Sequence, residues 1–217
     1  MSTTYLQAVN DVLVRLREAQ VSTVTQTTYS TLIGKFVNDA KRQIEDAYNW
    51  NVLLTTVNVS ATAGVSSYSV TGSGVKFRVI DTLNVTSEIP MQNISFAEMN
   101  RLLSFGSPAQ TIPTYYAFNG VDGSYDTKVN VFPVPDTAYT IKFSLIIPQA
   151  DLSSDSTVIK VPAELVIQNA YARALVERGE DGGLSSSEAY GLYRQMLSDY
   201  IALEATRYPE SQEFISV

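Results

Sequence analysis

Histidine and cysteine, the side chains behind most familiar enzyme chemistry near neutral pH, are both absent from the 217 residues. Their absence excludes imidazole bases, thiolate nucleophiles, His/Cys zinc centres, haem and iron–sulfur ligation by the usual groups, and disulfides. Carboxylates remain, 22 of them, and two would suffice for glycoside hydrolysis, but no pair is set apart by its neighbours. Asp122-x-x-x-Asp126 and Asp151-x-x-x-Asp155 offer oxygens to a hard cation without the calcium-loop spacing and its distal glutamate. Gly72-Ser73-Gly74-Val75-Lys76 places glycines near a lysine, but it precedes a strand, whereas a phosphate loop must feed a helix N-terminus. Glu98 and Glu188 have capping work to do. Glu177, Glu180 and Asp181 gather round a helix end, where negative charge opposes the helix dipole, and read as solvated loop charges rather than a cation site. The expectation is no enzyme, no cofactor and no metal.

Charge points the same way. Charged residues are only 17% of the chain, against about 25% in an ordinary soluble domain. The net charge is −7. Residues 1–50 carry five basic and five acidic groups, 51–160 six and eight, and 161–217 four and nine. A phosphate-tracking binder needs a basic face, so direct nucleic-acid binding is disfavoured. The 13 Tyr and eight Phe suit core and interface packing better than a base- or sugar-stacking platform, since no basic residues interleave them. No apolar run is long enough to span a bilayer. Met1-Ser2-Thr3-Thr4 lacks the basic and apolar regions of a secretory signal, so a cytoplasmic product is expected.

The elements alternate between two periods. Leu6, Val9, Val12, Leu13 and Leu16 form one helical stripe behind a Thr3 or Thr4 cap, and Tyr29 to Tyr48 a second behind Thr27 or Thr28. From Trp50 to about Ile147 the period falls to two. Leu53, Val57 and Val59 alternate, as do Val75, Phe77 and Val79, and Tyr139 to Ile147 does so most cleanly. Tyr115–Phe118 and Lys128–Phe132 flank Gly120-Val121-Asp122-Gly123 as a hairpin. Ser95 and Glu98 form a capping box for one short helix. Helical spacing returns after Pro162, with Gly179 as a C-terminal cap. A second box, Ser185 to Glu188, opens a last helix striped by Ala189, Leu192, Tyr193, Met196, Leu197, Tyr200, Ile201 and Leu203, which ends before Pro209.

Neither helical end can bury its apolar faces alone. The pattern therefore predicts an α+β fold in which the N- and C-terminal helix pairs, residues 1–50 and 161–207, form one four-helix bundle. Residues 51–160 form a β-rich insertion, a small sheet or sandwich, and 208–217 a C-terminal tail. Trp50 stands at the junction of bundle and insertion, as a staple.

Several of these segments resemble a known family. Ala8-Val9-Asn10-Asp11-Val12-Leu13 with Glu18 and Val21-Ser22-Thr23 is similar to the start of the head-to-tail adaptors of short-tailed bacteriophages, the tail tubular protein A or gatekeeper-like proteins. Arg42-Gln43-Ile44-Glu45 leading to Trp50 and Asn51–Leu54 carries the same likeness. So does the closing pair, Ala172-x-x-Leu175, an acidic loop, then Tyr190-x-x-Tyr193-x-x-Met196. Pro113-Thr114-Tyr115-Tyr116, with Val131 to Asp136 and Tyr139, resembles a module of phage structural proteins. The β insertion departs by being longer than in compact members.

The resemblance implies a structural virion protein at the head–tail junction, made in the host cytoplasm. It implies a ring, usually of twelve copies, between the portal protein and the tail nozzle protein, with DNA passing through unbound and no membrane involved. Under that reading Tyr208, Phe214 and Ile215 become the expected portal contact, and Glu177, Glu180 and Asp181 an acidic channel lining that lets phosphates slide. Two other readings stay open. One is a connector or completion protein, or distal tail component, of a long-tailed phage; the other is a carbohydrate-binding tail protein.

Overall fold

Thr4 and Thr27 each start a helix in the same way. The computed structural model describes residues 2–104, 108–179 and 183–208, and in it both threonines sit in extended backbone and accept a bond from the N3 backbone N–H. Gln7 and Ser30 return the bond to the cap residue's own N–H. Each box thus satisfies two donors that a helix end leaves over. The helices that follow are α1 (Tyr5–Arg15) and α2 (Thr28–Ala47). Among the described residues three more helices and two four-stranded sheets complete a mixed α+β protein. They are α3 (Phe96–Ser104), α4 (Ala163–Arg178) and α5 (Leu184–Arg207).

The chain divides into two compact units. Leu54–Ile147 is one, and the described residues on either side of it are the other. In the helical unit α1 packs on α2 and α4, α2 on α4, and α4 on α5. The buried core takes Val9, Val12 and Leu13 from α1, Ile33, Val37 and Ile44 from α2, Leu165, Val166 and Ala170 from α4, and Tyr193 from α5. Helix α4 is buried on nearly every side over its first two turns because three helices cover it. Its end is the expected glycine cap: Gly179 has φ 64° and donates its N–H to Leu175 O at 3.1 Å. Gly34 lets α2 approach its neighbours closely. A Cβ there would lie 2.5 Å from the Tyr5 hydroxyl oxygen and 2.7 Å from Val24 Cγ1.

The β unit has strands β1 (Leu54–Ala61), β2 (Ser67–Ser69), β3 (Arg78–Asn84), β4 (Ile89–Pro90), β5 (Gln92–Asn93), β6 (Tyr115–Val121), β7 (Thr127–Phe132) and β8 (Tyr139–Ile146). One sheet has the order β1-β8-β3-β4 and the other β2-β7-β6-β5. Inward residues of both meet in one core around Val59, Tyr116, Val129, Val131, Ile141 and Phe143. The strict alternation from Tyr139 to Leu145 is that inner face of β8.

Three local expectations are corrected. Val75 is not in a strand: β3 begins at Arg78 and bulges between Val79 and Asp81, leaving Val75 63% exposed. The expected Ser185–Glu188 box does not form, because α5 begins at Leu184 with Gly183 as its cap, so Ser185 already lies inside the helix. The α5 stripe is only partly core. Ala189 and Tyr193 are buried, but Leu192 and Leu203 are more than half exposed, since α4 covers a single face of the helix.

Candidate functional site

Trp50 follows the end of α2, where the chain turns into a short 3-10 segment, Asn51–Leu53. Its ring is 2% exposed, meets Tyr48 edge-on, and its indole N–H donates to Ile44 O at 2.7 Å. A large apolar ring with its one polar atom satisfied is a structural anchor. Beside it the backbone N–H of Asn51 donates to the Glu204 carboxylate of α5 at 3.0 Å. The start of α4 joins the same region, where the Tyr200 hydroxyl donates to Glu164 Oε2 at 2.7 Å. Giving up that proton would cost the Glu164 bond, which raises the Tyr200 pKa above its ordinary value.

These groups line a groove of about 590 Å³ that Val52, Arg207 and Tyr208 also border. Tyr208 is 44% exposed; its N–H donates to Glu204 O at 2.9 Å, closing α5, and the Arg207 guanidinium lies 5.5 Å over its ring. The junction residue Trp50 and the tail's first residue Tyr208 are therefore neighbours on one groove. Phe214 and Ile215 lie outside the described residues.

Glu177 is exposed at the far end of α4, roughly 20 Å from Glu164 at 1.5 Å per residue. It is not part of the groove, and Glu180 and Asp181 lie outside the described residues. The neighbouring Arg178 is tied down. It pairs with Glu18, donates to Tyr29 Oη at 3.0 Å and to Leu16 O at 3.1 Å, and so pins the end of α4 to α1 and α2.

Sequence reasoning missed one buried ionic cluster. Lys41 and Glu45 of α2 are 0% and 1% exposed and pair at 3.2 Å. Lys41 Nζ also donates to Gln149 O at 2.6 Å, and the Gln149 N–H returns a bond to Glu45 at 3.2 Å. The pair clamps the chain where it re-enters the helical unit after β8. Its i,i+4 spacing is visible in the sequence, but its burial is not, because such pairs ordinarily face water. Among the described residues no acidic group of three or more stands ready to hold a metal ion. No helix among them is long and apolar enough to cross a membrane.

The geometry is thus one of anchors and exposed rims. One family model matches the chain from residue 3 to residue 213, that of the SU10 adaptor protein. The chain belongs to the SU10 adaptor protein family. No curated protein matches it. As an SU10 adaptor it is a bacteriophage structural protein, and its partners are other components of the virion. For an SU10 adaptor the informative surfaces are those left uncovered: the groove rim at Val52 and Tyr208 and the outer side of α5, where Leu192 and Leu203 are exposed.

Proposed function

We propose that this chain is a head-to-tail adaptor that forms a ring between the portal protein and the tail nozzle protein, with DNA passing through its bore. The observation carrying this is the family match along nearly the whole chain, 3–213. In this reading the phage is short-tailed, the ring has twelve copies, and α1, α2, α4 and α5 act as one four-helix bundle with the β unit as its insertion. The helical unit meets the portal and neighbouring copies, and the β unit faces the tail.

Two features of the helical unit support that assignment. Side-to-side contact between copies needs apolar surface spared by the subunit's own core, and α5 supplies it at Leu192 and Leu203. The segment from Tyr208 to Val217 starts on the groove rim and carries Phe214 and Ile215 for a portal contact. Deleting 208–217 is expected to abolish binding to purified portal protein while leaving the circular dichroism unchanged. Unaltered binding removes the tail from the portal interface.

The acidic end of α4 has its own part in the proposal. Glu177, Glu180 and Asp181 line the bore, where negative charge keeps phosphates from being held by counterion release. Replacing all three by Lys is expected to slow DNA ejection, and unchanged ejection kinetics would count against the lining.

A further inference from the structure

Arg173 of α4 is half-buried and, among the described residues, has no acidic partner. Its Nε donates to Asn169 Oδ1 at 3.0 Å and its Nη2 to Gln43 Oε1 of α2 at 2.9 Å. Both acceptors are neutral, and Glu177, one turn on, forms no ion pair with it. Buried Lys41 and half-buried Arg178, by contrast, each hold a carboxylate. The two amide oxygens fix the guanidinium and leave it donors to spare. Arg173 lines a groove of about 260 Å³ among α2, α4 and α5, which Val176 and Tyr190 also line. Val176 is 67% exposed and Tyr190 44%, with the Tyr190 ring 5.6 Å from that of buried Tyr193. A spare cation next to bare apolar side chains suits a carboxylate carried beside an apolar residue.

Helix α5 carries that combination on its other side. At about 100° per residue, Glu188, Leu192, Asp199 and Leu203 fall within about 60° of arc on one flank. Tyr190 and Arg194 lie about 170° round from them, with buried Ala189 and Tyr193 on the face between. All four residues of the stripe are exposed, and among the described residues no ion pair holds Glu188, Asp199 or Arg194. One flank is therefore acidic and apolar, the other basic and apolar.

We propose that the groove at Arg173, Val176 and Tyr190 receives the Glu188–Leu203 stripe of a second copy of this chain, a stripe carboxylate meeting Arg173 and a stripe leucine meeting Val176 and Tyr190. The inference rests on the adaptor reading and names its copy-to-copy contact. Charge selects the pairing. Stripe against stripe sets Glu188 and Asp199 against their own counterparts, and groove against groove sets arginine against arginine; like charges across a contact exclude both. Groove against stripe joins opposite signs, in a chain whose net charge of −7 otherwise makes copies repel. A face that fits itself stops at a two-fold dimer. Two different faces that fit each other make a head-to-tail contact, the kind that closes into a ring.

The chain has no cysteine, so introduced ones report this contact alone. The test uses the full-length chain, free and mixed with purified portal protein of the same phage, and a short bis-maleimide. V176C/L192C is expected to give a ladder of linked copies. V176C mixed with L192C should give linked pairs only, and neither variant alone should link above the cysteine-free background. Both positions are more than half exposed, so the variants should melt with the wild type. Adding E188R/D199R should cut the linked fraction about fivefold or more, and R194E on top of it should recover part of the loss. L192C linking to itself as strongly as the mixture shows a two-fold contact and overturns the proposal. A ring on the portal without linkage between V176C and L192C overturns it too, and leaves the adaptor reading standing. A ladder without any added density on the portal supports the contact and overturns the adaptor reading; neither ladder nor ring overturns both.

Discussion

Trp50 shows how one side chain can hold several segments in place. Its buried ring and its bond to Ile44 O fix the end of α2, and the next residue bonds Glu204 of α5. Replacing it by alanine is expected to cost about 3–5 kcal/mol, the range for buried Trp or Phe truncations, measured by chemical denaturation. The Lys41–Glu45 pair behaves differently. Burial pushes the Glu45 carboxyl above its ordinary value of 4.5, although Lys41 pulls the other way. Attraction within the pair therefore does not repay the loss of water. E45A, which strands a buried ammonium, should cost about 3 kcal/mol, whereas K41M/E45L should be close to neutral. A carboxyl raised in the folded state contributes most below its unfolded pKa and loses that contribution as pH rises through its folded pKa. Stability curves should accordingly show K41M/E45L gaining on the wild type as pH climbs above 4.5. A constant difference across that range would contradict the assignment.

At the scale of elements, packing decides what patterning leaves open. Gly34 looks like an ordinary weak point in a helix, yet Tyr5 and Val24 leave no room for a Cβ. G34A gains about 1 kcal/mol of helix propensity but forces overpacking, and a net loss of about 1–2 kcal/mol is expected in thermal unfolding. Helix α5 is the opposite case. Leu192 and Leu203 are exposed in the single chain, so L192S/L203S should change its stability by less than about 0.5 kcal/mol. The same variant should weaken association between copies. The threonine caps of α1 and α2, expected at Thr3 or Thr4 and at Thr27 or Thr28, the Gly179 cap and the β8 alternation were legible in the sequence because each is a local device, though the returning bonds from Gln7 and Ser30 were not. The exposed side of α5 was not. Apolar residues run most of the way round that helix, and its packing, chiefly on α4, decides which are buried. Val75 misled for a related reason, since alternation continues through a turn that hydrogen bonding has already taken out of the sheet.

On the scale of the whole molecule, chain order carries most of the information. Within the helical unit, segments far apart in the chain meet: Asn51 bonds Glu204, 153 residues away. Of the expected site residues, Trp50 and Tyr208 share a groove while Glu177 sits at the opposite end of α4. An adaptor's function lies between molecules, so the deciding measurement is made on an assembly. Electron microscopy of the chain mixed with purified portal protein should show a closed ring of copies seated on the portal, with the helical unit at the contact. Portal particles that carry no added density at saturating chain, or density made by the β unit alone, would contradict the adaptor assignment at its centre.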